Sequence, residues 1–272
     1  MASASPTAVP PTAVPAVQAT ATRPPAPPTA VPPAATATTA APAATAVPPT
    51  ATPLPPPKCD KLANVPTAAA GQFGAADKPI VITFVPSGDV TTITKSGTAI
   101  ADCLSKMTGL TFKIETGTSY AASIEAMGGN KAQVGFLATF AILLARQKYG
   151  IEPALVATRA YVTNDLDPDK DLKGQQTPFY KGQFITKKGS GIKAVADLKG
   201  KTFCFTDPTS TSGTIVPQIV LKANGVNPEK DFKGTTFAGS HPNVAAAVYK
   251  GDCDAGATFI DVRTDATLQR TY

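Results

Sequence analysis

Phe203-Cys204-Phe205, the turn Asp207-Pro208-Thr209-Ser210-Thr211-Ser212-Gly213 and the following Thr214-Ile215-Val216-Pro217-Gln218-Ile219-Val220-Leu221-Lys222-Ala223 decide how this chain folds. The short apolar run reads as a strand and the longer segment as a helix closed by Asn224-Gly225, so the order is strand, hydroxyl-rich turn, helix. The first N–H groups of a helix lack partners within it, and the peptide dipoles place partial positive charge there. Four adjacent hydroxyls and a glycine at that point suit an oxyanion. Ser and Thr are also the preferred N-cap residues, so the same letters read equally well as a plain helix cap.

The pattern repeats on either side. Residues 79–85 are an apolar strand ended by Pro86-Ser87-Gly88-Asp89, and 91–109 carry Ile93, Ile100, Leu104 and Met107 at helical spacing with Gly109 as the stop. Strands over 111–115, 133–137 and 154–159 then alternate with helices over 119–127 and 139–149. A second unit follows the polar loop 164–176: strands at 183–186, 203–205, 235–238 and 254–259, a short helix at 191–198, the helix after the hydroxyl turn, and a helix over 244–250. Such alternation predicts an α/β fold of mostly parallel sheets covered by helices, whose ligands sit beyond the carboxyl ends of the strands. The hydroxyl turn, His241 and Asp261 all fall at such ends in the second unit. That convergence favours the binding reading of the turn over the cap reading.

Composition sets the outer limits. Residues 1–57 hold 17 of the 27 prolines and a single charge, Arg23, among Ala, Thr, Val and Ser. With no aromatic residue they cannot bury enough surface to offset their ordering entropy, and an extended, polyproline-like tether is expected there. Stalks of this type suit exported or surface proteins. The tether holds no apolar run long enough for a leader or a membrane span, so a removed leader or an engineered start at Met1-Ala2-Ser3 is expected. Beyond residue 57 there are 24 basic against 19 acidic residues, a mild excess that suits an anionic ligand or an anionic cell surface. Dense Lys/Arg clusters and Trp are both lacking, which argues against nucleic acid as a partner.

Cys59, Cys103, Cys204 and Cys253 lie far apart with no metal-type spacing. In an exported chain they suggest up to two disulfides. Cys204 with Cys253 is the favoured pair, because both are assigned to strands of one lobe, and buried free thiols are the alternative. With a single His in the chain, zinc is not expected, and no cofactor is called for.

Several blocks, in order, carry a family likeness: Phe84-Val85-Pro86-Ser87, Tyr120-Ala121-Ala122-Ser123-Ile124-Glu125-Ala126, Lys188-Gly189-Ser190-Gly191-Ile192, Asp197-Leu198-Lys199-Gly200-Lys201-Thr202-Phe203, Asp207 to Gly213, Asp231-Phe232-Lys233, Ala238-Gly239-Ser240-His241 and Gly251-Asp252-Cys253-Asp254-Ala255-Gly256-Ala257. Over about residues 78–262 the chain resembles the phosphonate, phosphite and phosphate binding proteins of ABC importers. The resemblance implies a two-lobed type II periplasmic binding protein that captures its ligand by closure of the lobes. It implies a first lobe over 58–180, a second over 181–262 and a crossover beginning at 263–272. In that fold the chain returns to complete the first lobe. Here it stops at Tyr272, about ten residues after the last strand, so a truncated fragment or completion by another segment is expected.

The same resemblance implies the site. Ser210, Thr211 and Ser212, with the N–H groups of their turn, would cradle the phosphorus oxygens, and His241 would add a donor. Tyr120, opening a helix of the first lobe, and Tyr180, at the crossover, would line the cleft with Ser87. Asp261 would accept a hydrogen bond from a protonated ligand oxygen or pair with a substrate amine, since a carboxylate beside a bare anion is repulsive. Phe136-Leu137-Ala138-Thr139-Phe140 departs from the family pattern at one wall.

The reading expected from the sequence is therefore an exported, periplasmic or cell-surface, monomeric binding protein, held at a membrane or cell wall by its tether. It is expected to deliver a small phosphorus oxyanion to an ABC permease and not to act as an enzyme. A sensory or adhesive surface module reusing the fold is one alternative. A hydrolase is another, since Ser210 or Ser212 with His241 and Asp261 supplies triad residue types. No Gly-x-Ser-x-Gly elbow and no metal-ligand cluster accompany them.

Overall fold

The computed structural model describes residues 58–163, 167–260, 262–265 and 268–269. The first lobe is a three-stranded parallel sheet of β1 (Ile80–Phe84), β2 (Phe112–Thr116) and β3 (Val134–Phe136) in the order β2-β1-β3. Helices α1 (Val90–Thr108), α2 (Tyr120–Gly128) and α3 (Thr139–Tyr149) connect and cover it. Helix α1 starts and stops where its sequence provides for it. Asp89 caps α1 by accepting from the Thr92 N–H at 2.8 Å, and Gly109 takes the left-handed conformation that ends it, at φ +74°. Gly97 lets α1 lie close on the sheet: a Cβ there would come within 3.0 Å of both Phe84 and Ile114. α2 and α3 pack on each other through Ile124, Ala141 and Ala145.

A two-residue antiparallel pair, β4 (Arg159–Ala160) with β5 (Gln176–Thr177), leads to the second lobe. Its sheet contains β6 (Gly182–Thr186), β7 (Thr202–Phe205), β8 (Gly234–Phe237) and β9 (Ala255–Phe259) in the order β6-β9-β7-β8, with β6 antiparallel to β9 and the other pairs parallel. Alternation along β7 splits the core in two. Phe203 and Phe205 pack with Leu221 of α4 (Val216–Ala223), Val226 and Phe232 on one face. Cys204 packs with Val244 and Val248 of α5 (His241–Lys250) on the other. Disulfides join Cys204 to Cys253 and Cys59 to Cys103. The favoured pair thus forms, although Cys253 lies in the turn before β9 and not on a strand.

Three expectations need correction. The strand expected over 154–159 shrinks to Arg159–Ala160, because residues 154–158 find no neighbouring strand to pair with among the described residues. The helix expected over 191–198 is a 3-10 turn, Val195–Leu198, whose Asp197 carboxylate accepts from the N–H groups of Lys193 and Ala194. The last helix begins at His241 and not at Val244, because Pro242 sits in its first turn, where the missing N–H would have had no helical partner.

Candidate functional site

The hydroxyl turn leaves β7 at Phe205 and tightens into a π-type turn, Thr211–Ile215, before α4. Ser210 is its cap: Oγ accepts from the Gly213 N–H at 3.2 Å, and its carbonyl accepts from the N–H groups of Thr214 and Ile215. The N–H groups of Thr211 and Ser212 keep no hydrogen-bond partner among the described residues. The turn is thus both a cap and a cradle: Ser210 satisfies one donor and leaves two adjacent ones open. Gly213 is required by contact, since a Cβ there would lie 2.1 Å from Thr206 Oγ1 and 3.0 Å from His241 Cε1. The Thr214 hydroxyl is buried without a hydrogen-bond partner among the described residues.

His241 opens α5 directly behind the turn and is 2% exposed. Its Nδ1 accepts from the Phe259 N–H at 2.9 Å, which fixes the proton on Nε2. Nε2 faces Ser210 Oγ at 3.5 Å, and Thr206 Oγ1 lies 3.2 Å from Nδ1. Burial pushes the imidazole down to about 3, so it is neutral at ordinary pH. His241 therefore directs its one donor at Ser210. With acceptor positions of Ser210 facing Gly213 N–H and His241 Nε2–H, the serine proton is directed outward.

The first lobe supplies the facing wall. Tyr120, the first residue of α2, is buried, and its phenol lies near the hydroxyls of Ser210 and Ser87. Burial pushes this phenol well above its ordinary range, so it stays protonated. The Ser87 carbonyl accepts from the His241 N–H at 3.2 Å. Thr211 Oγ1 accepts from the Phe140 N–H at 2.8 Å. The Tyr180 hydroxyl meets Ser212 Oγ at 3.3 Å, with the Arg159 guanidinium 5.0 Å from its ring centre. Beside Tyr180, Lys181 donates to Asp167 at 2.9 Å and also pairs with Asp169. The Lys181 ammonium holds the Asp167 carboxyl well below the usual carboxylate range, and Tyr161 Oη donates to the same group at 2.9 Å.

Ser87, Tyr120, Tyr180, Ser210, Thr211, Ser212 and His241 thus gather around the hydroxyl turn, while Asp261 lies outside the described residues. Sequence reasoning missed three members: Arg159, the Phe140 N–H and Asp207. The last accepts from the Thr209 N–H and Oγ1 through Oδ1, both at 2.9 Å, and from the Tyr120 N–H through Oδ2 at 3.3 Å. An Asp two residues before a Thr signals the local turn. Nothing local signals a bond to a residue 87 positions away.

Known proteins are similar to this chain over parts of its length. The Phosphate-import protein PhnD of Mycolicibacterium smegmatis is 29% identical over 196 residues, 70% of this chain and 57% of that one. A probable ABC transporter phosphite binding protein, PhnD1 of Prochlorococcus marinus, is 34% identical over 115 residues, 40% of this chain and 36% of that one. The chain thus spans little more than half the length of the first of these relatives. The solved structure of Prochlorococcus marinus PhnD1 in complex with methylphosphonate aligns with a TM-score of 0.58 at 23% identity, covering 71% of this chain and 68% of that one. A binding protein component of an ABC phosphonate transporter from Pseudomonas aeruginosa also gives 0.58 at 23% identity, covering 70% and 60%. These likenesses show the fold, a two-lobed type II periplasmic binding protein with mostly parallel sheets flanked by helices. Residues 82–271, well over half the chain, match the family described as ABC transporter, phosphonate, periplasmic substrate-binding protein, and the chain belongs to that family.

Proposed function

We propose that this chain captures a small phosphorus oxyanion, a phosphonate, phosphite or phosphate, between its lobes outside the cytoplasm and hands it to an ABC permease. The observation that carries the reading is the convergence of two open N–H groups, at Thr211 and Ser212, with the hydroxyls of Ser210, Thr211, Ser212, Tyr120 and Tyr180. Donors held in fixed positions and shielded from water bind an oxyanion strongly, because each bond is charge-assisted. The names of the relatives agree in element: phosphate import, phosphite binding, and a complex with methylphosphonate. Tyr180 and Ser87 close the cleft walls, and Asp261 receives a ligand proton or amine. Residues 1–57 tether a monomer to the membrane or cell wall.

The role is binding without chemistry. A hydrolytic triad needs an unprotonated Nε2 to take the serine proton. Here the Phe259 N–H occupies Nδ1, so Nε2 carries the proton and faces Ser210 as a donor.

Thermal unfolding against phosphate, phosphite, methylphosphonate, 2-aminoethylphosphonate and sulfate tests the reading. A ligand at 100 times its Kd adds about 2.7 kcal/mol, a shift of about 5 to 10 °C for a domain of this size. A shift with a phosphorus compound and none with sulfate is expected. No shift with any phosphorus compound would overturn the proposal.

A further inference from the structure

We propose that Arg159 is a specificity-determining residue: acting through the Tyr180 ring, it supplies the positive charge that the cradle itself lacks, and so makes affinity depend on the charge of the oxyanion. This deepens the oxyanion reading and rests on it.

The starting observation is the charge of the site. The donors that converge on the hydroxyl turn are neutral. The N–H groups of Thr211 and Ser212 and the hydroxyls of Ser210, Thr211 and Ser212 carry only dipoles. Burial keeps the Tyr120 phenol protonated and the His241 imidazole uncharged. The full charge that the turn itself carries is negative. It belongs to Asp207, which is 6% exposed and is held by the Thr209 N–H and hydroxyl and by the Tyr120 N–H. An oxyanion leaving water for this site gives up solvation and meets a carboxylate, with dipoles alone to offset both.

Arg159 is placed to change that balance. Its backbone is fixed in β4 by pairing with Thr177 of β5, and its guanidinium lies over the Tyr180 ring, 5.0 Å from the ring centre. The hydroxyl of the same ring meets Ser212 Oγ at 3.3 Å. One tyrosine side chain thus joins the cation to the cradle. A guanidinium over a ring draws on its electron density, and the field of that charge strengthens the phenol as a donor to an anion. The neighbouring cation cannot do the same. Lys181 gives its ammonium to Asp167 and Asp169, whereas Arg159 enters no ion pair among the described residues.

Coulomb energy at a fixed distance and dielectric is proportional to the charge of the ligand. Removing the Arg159 charge should therefore cost a dianion twice as much, on a logarithmic scale, as a monoanion of the same shape. Loss of a ring support would misplace the Tyr180 hydroxyl equally for both. Arg159→Lys divides the two roles again, because lysine keeps the charge and loses the planar stack.

The test is titration calorimetry with phosphate, phosphite or methylphosphonate, whichever shifts the parent's melting temperature. It is run about 1.5 pH units below and above the second ionisation of that compound. Across that range His241 stays neutral, Tyr120 and Lys181 stay protonated and Asp167 stays ionised, so the ligand changes charge and these groups do not. Arg159→Gln should weaken the dianion about tenfold and the monoanion about threefold, and Arg159→Lys should restore most of both losses. Salt at about 1 M, where the screening length is about 3 Å, should narrow the gap between parent and Arg159→Gln. Arg159 is exposed, so both variants are expected to fold. Affinity unchanged in Arg159→Gln, equal losses for the two charge states, or an Arg159→Lys variant as weak as Arg159→Gln would each overturn the proposal. If no phosphorus compound binds the parent, the oxyanion reading fails and takes the proposal with it. If one binds and the losses do not follow its charge, that reading stands and only the assignment of Arg159 falls.

Discussion

The sheet of the second lobe is covered on both faces, by α4 and the Phe203, Phe205 and Phe232 cluster on one side and by α5 on the other. Among the described residues the sheet of the first lobe has three strands, its edge strand β3 exposes Val134 and Phe136 in part, and Leu155 beyond α3 is 94% exposed. The turn that holds the candidate site grows out of the fully covered sheet. The groups that close over it, Tyr120, Phe140 and Ser87, sit at helix and strand ends of the lobe with the exposed edge. A cradle for an anion needs donors held in place, and the buried core beneath β7 holds them.

The largest expected effect tests the covered side of that contrast. Phe203 is 0% exposed and lies 4.9 Å, nearly parallel, from the Phe232 ring. Phe203→Ala should cost about 3–5 kcal/mol, as truncation of a fully buried aromatic does. Phe136→Ala, on the edge strand, should cost less, about 1–2 kcal/mol, since the ring is partly in water although it stacks 4.5 Å from Phe84. Urea unfolding of the two variants measures both. Equal losses would mean that the two lobes share one cooperative core and that the contrast has no energetic meaning.

What the sequence revealed follows the same division. Strands buried on both faces announce themselves as apolar runs, and β1 and β7 fall where residues 79–85 and 203–205 place them. The helix stop at Gly109 was equally legible, because glycine readily takes the left-handed conformation that ends α1 there. Residues 154–158 read as a strand because Leu155 and Val156 favour one, but a strand also needs a partner, and periodicity cannot supply it. Period 2 is likewise blind to direction, so the antiparallel placement of β6 was invisible. In the site, the hydroxyl turn was legible as a cluster of letters. Asp207 and the Phe140 N–H were not, because a backbone donor has no letter and a carboxylate's second oxygen can be claimed from any distance.

A middle-sized effect separates the cradle from its surroundings by pH. His241 is pushed down to about 3 by burial, against an ordinary value of about 6.5. Between those values the unfolded chain binds a proton that the folded chain excludes. Stability is therefore fully present above about pH 6.5 and falls as pH drops, by about 1.4 kcal/mol per pH unit from this group alone. His241→Gln removes that slope, so the stability difference between parent and variant should shrink steadily from pH 7 to pH 4. A difference that stays constant over that range would show that the imidazole is not buried neutral, and the orientation assigned to Ser210 would go with it.

The smallest effect tests the open side. If Leu155 stands in solvent, Leu155→Ser should change stability by no more than about 0.5 kcal/mol, the usual range for a surface substitution away from special features. The side chain makes no burial to lose, and serine is as content in water as leucine is indifferent to its removal. A loss of 2 kcal/mol or more would instead mean that the segment is covered in solution. Protein concentration then distinguishes the cover. A loss that shrinks as the protein is diluted points to a second copy of the chain, because an intermolecular contact stabilises the parent less on dilution. A loss independent of concentration points to cover from within the same chain. Either result would transfer the first lobe from the open side of the comparison to the covered side, and closure of the cleft would then have to be explained between two equally rigid bodies.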